Sequence, residues 1–300
     1  MGLEDRHVPE RMIEANGVEL CTDAIGHPGN PPVLLVMGMG ASMVWWEDEF
    51  CAGLARCERF VIRYDHRDTG RSVTYPVGHP SYSASDLVAD AAGVLDAYEL
   101  DAAHIVGMSM GGALAQLLAL DFPGRVLSLT LITTSPATPG DRDLPPGRAR
   151  FRRFLATARV DWSDPASVVD YLVAHWHVLW GQQRAFDETR IRDLARHDVA
   201  RARDVAGAQN HGLLRDEDRA RGPLSSIAAP TLVIHGTDDP MFPLEHGRAL
   251  ANEIPDAQLL LLQGAGHGLD PRDWETVTDA IRHHTSLHVA GGACSTSSGN

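Results

Sequence analysis

One short run in the 300-residue chain has the residue types and spacing for covalent chemistry: Gly107-Met108-Ser109-Met110-Gly111. A serine hydroxyl is a poor nucleophile at neutral pH. It needs a histidine base, and the histidine needs a carboxylate that fixes its tautomer and steadies its positive charge. Glycines two before and two after the serine let neighbouring backbone close in around a strained turn that lifts the hydroxyl clear. Two later runs supply the partners: Gly236-Thr237-Asp238-Asp239-Pro240 and Gly264-Ala265-Gly266-His267-Gly268. Asp238 and Asp239 compete for the carboxylate role, one expected toward the site and the other toward solvent. His267 stands out among fifteen histidines by its flanking glycines. A tetrahedral oxyanion needs two preorganised N–H groups. These are expected from Met110, directly after the nucleophile, and from Met39 in the run Met37-Gly38-Met39-Gly40.

The elements that must hold these residues are legible as alternating runs. Asn16-Gly17 between extended stretches marks a hairpin. Val33–Met37, Phe60–Tyr64, Ala103–Val106, Val126–Thr133, Thr231–His235 and Gln258–Leu262 are short apolar runs of the buried parallel kind. Helical spacing separates them over Trp45–Cys57, from Ser83-x-x-Asp86 to about Leu100, to Phe122, over Leu244–Glu253 and from Arg272 to His284. Strand alternating with helix predicts an α/β fold, a mostly parallel sheet with helices on both faces. Ser109, Asp239 and His267 then each follow the carboxyl end of a strand, where ligands bind in open α/β sheets.

The alternation stops at Ser135-Pro136 and no strand pattern returns before about Gly222. Asp164-Pro165 caps a helix that Gly181 ends, and an Arg/Asp-rich helix is expected over 187–206. This segment is too long for a plain loop. The expected organisation is a core of 1–135 and 223–286, a helical lid over 136–222 and a disordered tail over 287–300. Trp45, Met108, Trp176 and Trp180 are expected to line a large apolar substrate pocket made adaptable by methionine.

Composition excludes several chemistries. The chain has no lysine, so all 26 basic residues are arginine. Schiff-base, pyridoxal-phosphate and P-loop chemistry fall away. A net charge of −14 disfavours nucleic acid and anionic membrane as partners. Residues 136–222 hold 15 arginines against 13 acids, so the flanks carry the negative charge. The four cysteines have no metal spacing, and three are expected buried and all reduced. The charged start and the lack of an 18-residue apolar run predict a cytoplasmic protein without a signal peptide. No metal and no cofactor are expected. Asp65-His66-Arg67-Asp68-Thr69-Gly70-Arg71-Ser72 is expected to form a structural turn with an Arg–carboxylate network at the rim of the site.

Over residues 10–286 these features resemble the α/β-hydrolase family. Within it the similarity is to the aclacinomycin methylesterase-like branch, which removes the methyl from an anthracycline carboxymethyl ester. The shared stretches are Leu34-Leu35-Val36-Met37-Gly38, Asp48-Glu49-Phe50, Val61 through Ser72, Ser109-Met110-Gly111, Pro230 through Ile234, Asp239-Pro240 and Gly266-His267. The family's acid stands three residues after a glycine, so the resemblance implies Asp239 and not Asp238. Many relatives carry His-Gly where this chain has Met37-Gly38, and similarity is slight across 136–222. The resemblance implies a serine hydrolase of a small-molecule carboxylic ester, a methyl ester of a polyketide-like or aromatic compound. The same triad serves lactonases, carbon–carbon bond hydrolases and cofactor-free perhydrolases, and hydrolase-fold receptors keep it without turnover. A dehalogenase would need aspartate in place of Ser109. The sequence leaves the oligomeric state open.

Overall fold

The computed structural model describes residues 7–140, 142–214 and 221–287. A hairpin opens the chain, β1 (His7–Ala15) and β2 (Val18–Ile25). Its turn residues, Asn16 and Gly17, both have positive φ, the geometry that matches strand twist. Six further strands follow: β3 (Pro32–Val36), β4 (Phe60–Tyr64), β5 (Ala103–Met108), β6 (Val126–Ile132), β7 (Thr231–Gly236) and β8 (Gln258–Leu262). They form one sheet in the order β1-β2-β4-β3-β5-β6-β7-β8. β1–β2 and β2–β4 pair antiparallel, and every later pair is parallel.

The central strands bury both faces, which explains their continuous apolar runs. In β3, Leu34 and Val36 enter one core cluster while Val33 and Leu35 enter the other. The first cluster is covered by α2 (Ala84–Ala97), α3 (Met110–Asp121) and α7 (Leu244–Glu253). The second lies under α1 (Asp48–Arg56) and α8 (Trp274–Ser286). Ser83 and Asp86 form the reciprocal capping box at the start of α2, a device worth roughly 1 kcal/mol.

Between β6 and β7 the chain runs through α4 (Ala149–Thr157), α5 (Pro165–Leu179), α6 (Glu188–Arg201) and a 3-10 stretch, Val205–Leu213. Asp164 caps α5 ahead of its N1 proline. Val169 and Val173 of α5, with Ile191 and Ala195 of α6, join the second core cluster, so these helices pack onto the sheet side and do not stand free. Cys21 and Cys51 are buried and unpaired, whereas Cys57 is half-buried at the end of α1, so two described cysteines are buried and not three. Cys294 and the tail from 288 lie outside the described residues. No described helix is long and apolar enough to cross a membrane.

Candidate active site

Ser109 sits between β5 and α3 at φ 55°, ψ −120°, a strained conformation for a residue with a side chain, costing on the order of 1–3 kcal/mol. The turn is over-determined by what surrounds it. Ser109 N–H donates to Ile132 O at 3.0 Å, and Thr134 Oγ1 donates to Ser109 O at 2.7 Å. A Cβ on Gly111 would lie 2.0 Å from Val36 O, so only glycine lets α3 start this close to β3.

Ser109 Oγ and His267 Nε2 are 2.9 Å apart, and His267 Nδ1 is 2.8 Å from Asp239 Oδ2. Asp239 is held from its other side: Oδ1 accepts the N–H groups of Met241 and Phe242 at 2.8 and 2.9 Å. A carboxylate can only accept, so Nδ1 of His267 donates and its Nε2 is left bare toward the serine. Asp239 and His267 are fully buried, while Ser109 is half-exposed at the cleft. Three residues expected from sequence alone to meet are therefore in hydrogen-bond contact.

Asp238 does not face solvent, contrary to expectation. It is buried, and its carboxylate accepts from Arg148, ahead of α4, and from the Gln182 N–H, after α5. Adjacent strand-end aspartates point to opposite sides, and here the second side is covered by protein. The loop carrying His267 is also tied to α5: His267 N–H donates to Leu179 O at 2.9 Å, and a Cβ on Gly266 would lie 2.2 Å from that oxygen.

Met110 is the first residue of α3, so its N–H has no intrahelical acceptor. Met39 follows Gly38, and a Cβ on Gly38 would lie 3.3 Å from Ser109 Cβ, so the loop that carries Met39 comes close to the serine. The 37–43 loop is braced by four groups outside the triad. His66 Nε2 lies 3.0 Å from Met37 O, and Asp65 Oδ1 accepts the Met43 N–H at 2.8 Å. His211 Nδ1 accepts the Gly40 N–H at 3.0 Å while its Nε2 donates to Arg67 O. Asp198, fully buried on α6, accepts from Ser42 Oγ at 2.5 Å and from Trp45 Nε1 at 2.7 Å. Burial pushes His66 down to about 3 and also lowers His211, so both are neutral here. Asp65 is pushed up to about 6 by burial, against the pull of Arg201. The Asp65–Ser72 run forms the expected network, with Arg67 on Asp90 and Tyr82 Oη on Asp68.

Trp45, Met108, Trp176 and Trp180 do come together, but not around a large pocket. Trp45 stacks on Trp176 with ring centroids 4.7 Å apart, and the cavity these four help to line is about 20 Å³, room for about one oxygen-sized group. The aromatic side chains pack on one another and on the second core cluster, and so take up the space expected for substrate. Among the described residues no cluster of three or more His, Cys, Asp or Glu could hold a metal.

A family model for the α/β hydrolase fold matches residues 31–269. The chain belongs to the α/β-hydrolase family. Among curated members, rhodomycin D methylesterase DauP from a Streptomyces species is 34% identical over 293 residues, covering 93% of this chain and 98% of that one. Rhodomycin D methylesterase DnrP of Streptomyces peucetius is 35% identical over 295 residues, with the same coverage. A protein of Variovorax paradoxus named putative carbamate hydrolase RutD is 32% identical over 259 residues, 85% of this chain and 89% of its own length. Among solved structures, the Rhodococcus esterase RhEst1 superposes with a TM-score of 0.74 at 22% identity over 94% of this chain and 99% of its own, a likeness of fold.

Proposed function

We propose that this α/β-hydrolase is a serine carboxylic ester hydrolase acting on a methyl ester of a polyketide-like or aromatic compound. The observation that carries the reading is the continuous hydrogen-bond chain Ser109–His267–Asp239 at three strand ends. The two methylesterase relatives, similar along almost the whole chain, support the ester and its methyl group.

In this reading Ser109 is the nucleophile. As its oxygen attacks the ester carbon, its proton passes to His267 Nε2, and Asp239 stabilises the imidazolium that results. The carbonyl oxygen becomes an oxyanion, and the N–H groups of Met39 and Met110 are the donors assigned to it. Collapse returns the proton to the leaving alkoxide, releasing methanol and leaving an acyl-serine. A water then gives its proton to His267 and repeats the attack, freeing the acid. No step draws on a cofactor. Residues 136–222 serve as a lid whose tryptophans part to admit the acyl group; methionines around the serine can repack as they do.

Fluorophosphonate labelling tests the nucleophile. The expected result is a single adduct on the peptide containing Ser109, absent from Ser109→Ala protein. An adduct elsewhere, or none, rejects the assignment.

A further inference from the structure

The small cavity behind Met108 is walled mainly by apolar and aromatic side chains. Two of its walls differ. Trp46 and Arg190 carry buried donors, the Trp46 Nε1 and the Arg190 Nε and Nη2, and none of the three has a hydrogen-bond partner among the described residues. Buried donors are normally satisfied, so three of them around one cavity call for an acceptor there. Two of its walls neighbour the residues that carry the reacting groups. Met108 immediately precedes Ser109, and Trp176, another wall, packs so close to Gly268 that a Cβ there would lie 2.6 Å from its ring.

Charge narrows what the acceptor is. Arg190 pairs through Nη1 with Glu47, a further wall of the cavity, and its guanidinium lies 5.7 Å from the Trp180 ring centroid. The cation is thus already neutralised. An entering carboxylate would meet Glu47 beside it without a free positive charge to offset the loss of water. A neutral oxygen accepts the same hydrogen bonds without that penalty.

We propose that this cavity is a subsite for a neutral oxygen acceptor, a ketone or similar carbonyl, on the end of the acyl group away from the scissile ester, bound by Trp46 Nε1 and Arg190. The subsite deepens the ester-hydrolase reading, since it takes its acyl group from that reading. Its donors and volume stand on the geometry alone. It makes Trp46 and Arg190 specificity-determining residues: an analogue lacking the oxygen leaves buried donors unpaired.

The test uses two esters that differ in one atom group. Methyl 4-acetylbenzoate carries a ketone oxygen, and methyl 4-isopropenylbenzoate replaces that oxygen with a CH₂ of similar size. Binding of each to full-length Ser109→Ala protein is measured by calorimetry. The acetyl ester is expected to bind about tenfold more tightly, and Trp46→Phe in the same background should remove most of that preference. Trp46→Phe is the primary variant because Arg190→Met would leave Glu47 buried without its partner; Arg190→Met is expected to act in the same direction. Equal binding of the two esters, no binding of either, or an equal loss on both from Trp46→Phe overturns the subsite, the donors then serving a resident water. Hydrolysis of both esters by the wild-type protein is followed in parallel. Turnover without preference would reject the subsite and leave the hydrolase; preference in binding without turnover would reject the hydrolase and leave the subsite.

Discussion

At the scale of single residues, two neighbouring aspartates differ by their partners. Asp239 accepts from His267 and two backbone N–H groups, whereas Asp238 accepts from Arg148 and the Gln182 N–H. Asp239→Asn is expected to lower kcat by about 10³- to 10⁴-fold, because an amide can present its N–H to Nδ1 and favour the wrong tautomer. Asp238→Asn should leave kcat within about tenfold and lower thermal stability, through the loosened junction of α4 and α5. Steady-state kinetics and a melting curve on both variants check this, and equal kcat losses would contradict it. Glycine-flanked Ser109 and His267 were readable because close backbone approach leaves a mark in sequence. The choice between Asp238 and Asp239 needed the family's spacing, and Asp238's burial was hidden because its partners lie 56 and 90 positions away along the chain.

At the scale of elements, strand and helix identities followed from periodicity. β4, β8 and α7 match the expected ranges, and the α2 capping box and α5 N-cap appear where their residues stand. What periodicity could not supply is how the segment from α4 through the 3-10 stretch Val205–Leu213 meets the core. Asp198 and His211 reach from it to Ser42, Trp45 and Gly40, contacts that span more than 150 residues. The same segment drives Trp176 against Trp45 and closes the expected pocket. Asp198→Ala strands two buried donors, so it should destabilise the protein by about 2–4 kcal/mol. It should also lower kcat roughly tenfold by freeing the Met39 loop; an unchanged kcat would deny that α6 positions this loop. In hydrogen exchange, the lid reading expects amides of 148–213 to exchange faster than those of β5 and β6. Equal protection would argue against a lid that opens.

At the scale of the whole molecule, acid sensitivity follows from histidines held neutral. Burial lowers His66 to about 3 and His175 to about 4, and also lowers His211 and His235. For each, the unfolded chain binds the proton more tightly than the fold. The stability they contribute is present above the ordinary histidine pKa and is lost as pH falls below it. Asp65, raised to about 6, has the opposite sign: it favours the fold in acid and loses that contribution as pH rises through 6. Between pH 7 and 5 His66 and His175 each cost up to about 2 kcal/mol, His211 and His235 act in the same direction, and Asp65 returns about 1 kcal/mol, so the histidines prevail. Tm is expected to fall by about 5 °C over that interval. A flat Tm would show that these imidazoles are not held neutral.

In the proposed mechanism Ser109 forms an acyl-enzyme from a carboxylic ester, and product analysis decides whether it does. Wild-type and Ser109→Ala proteins are incubated with an anthracycline-type methyl ester and a short p-nitrophenyl ester, and the products are read by mass spectrometry. The free acid and methanol are expected from the large methyl ester, with turnover lowered at least about 10⁴-fold in Ser109→Ala. Turnover of the p-nitrophenyl ester alone would keep the serine hydrolase and discard the methyl ester of a polyketide-like compound. Equal turnover by Ser109→Ala, or an intact ester with both proteins, would rule out Ser109 as the nucleophile of an ester hydrolase.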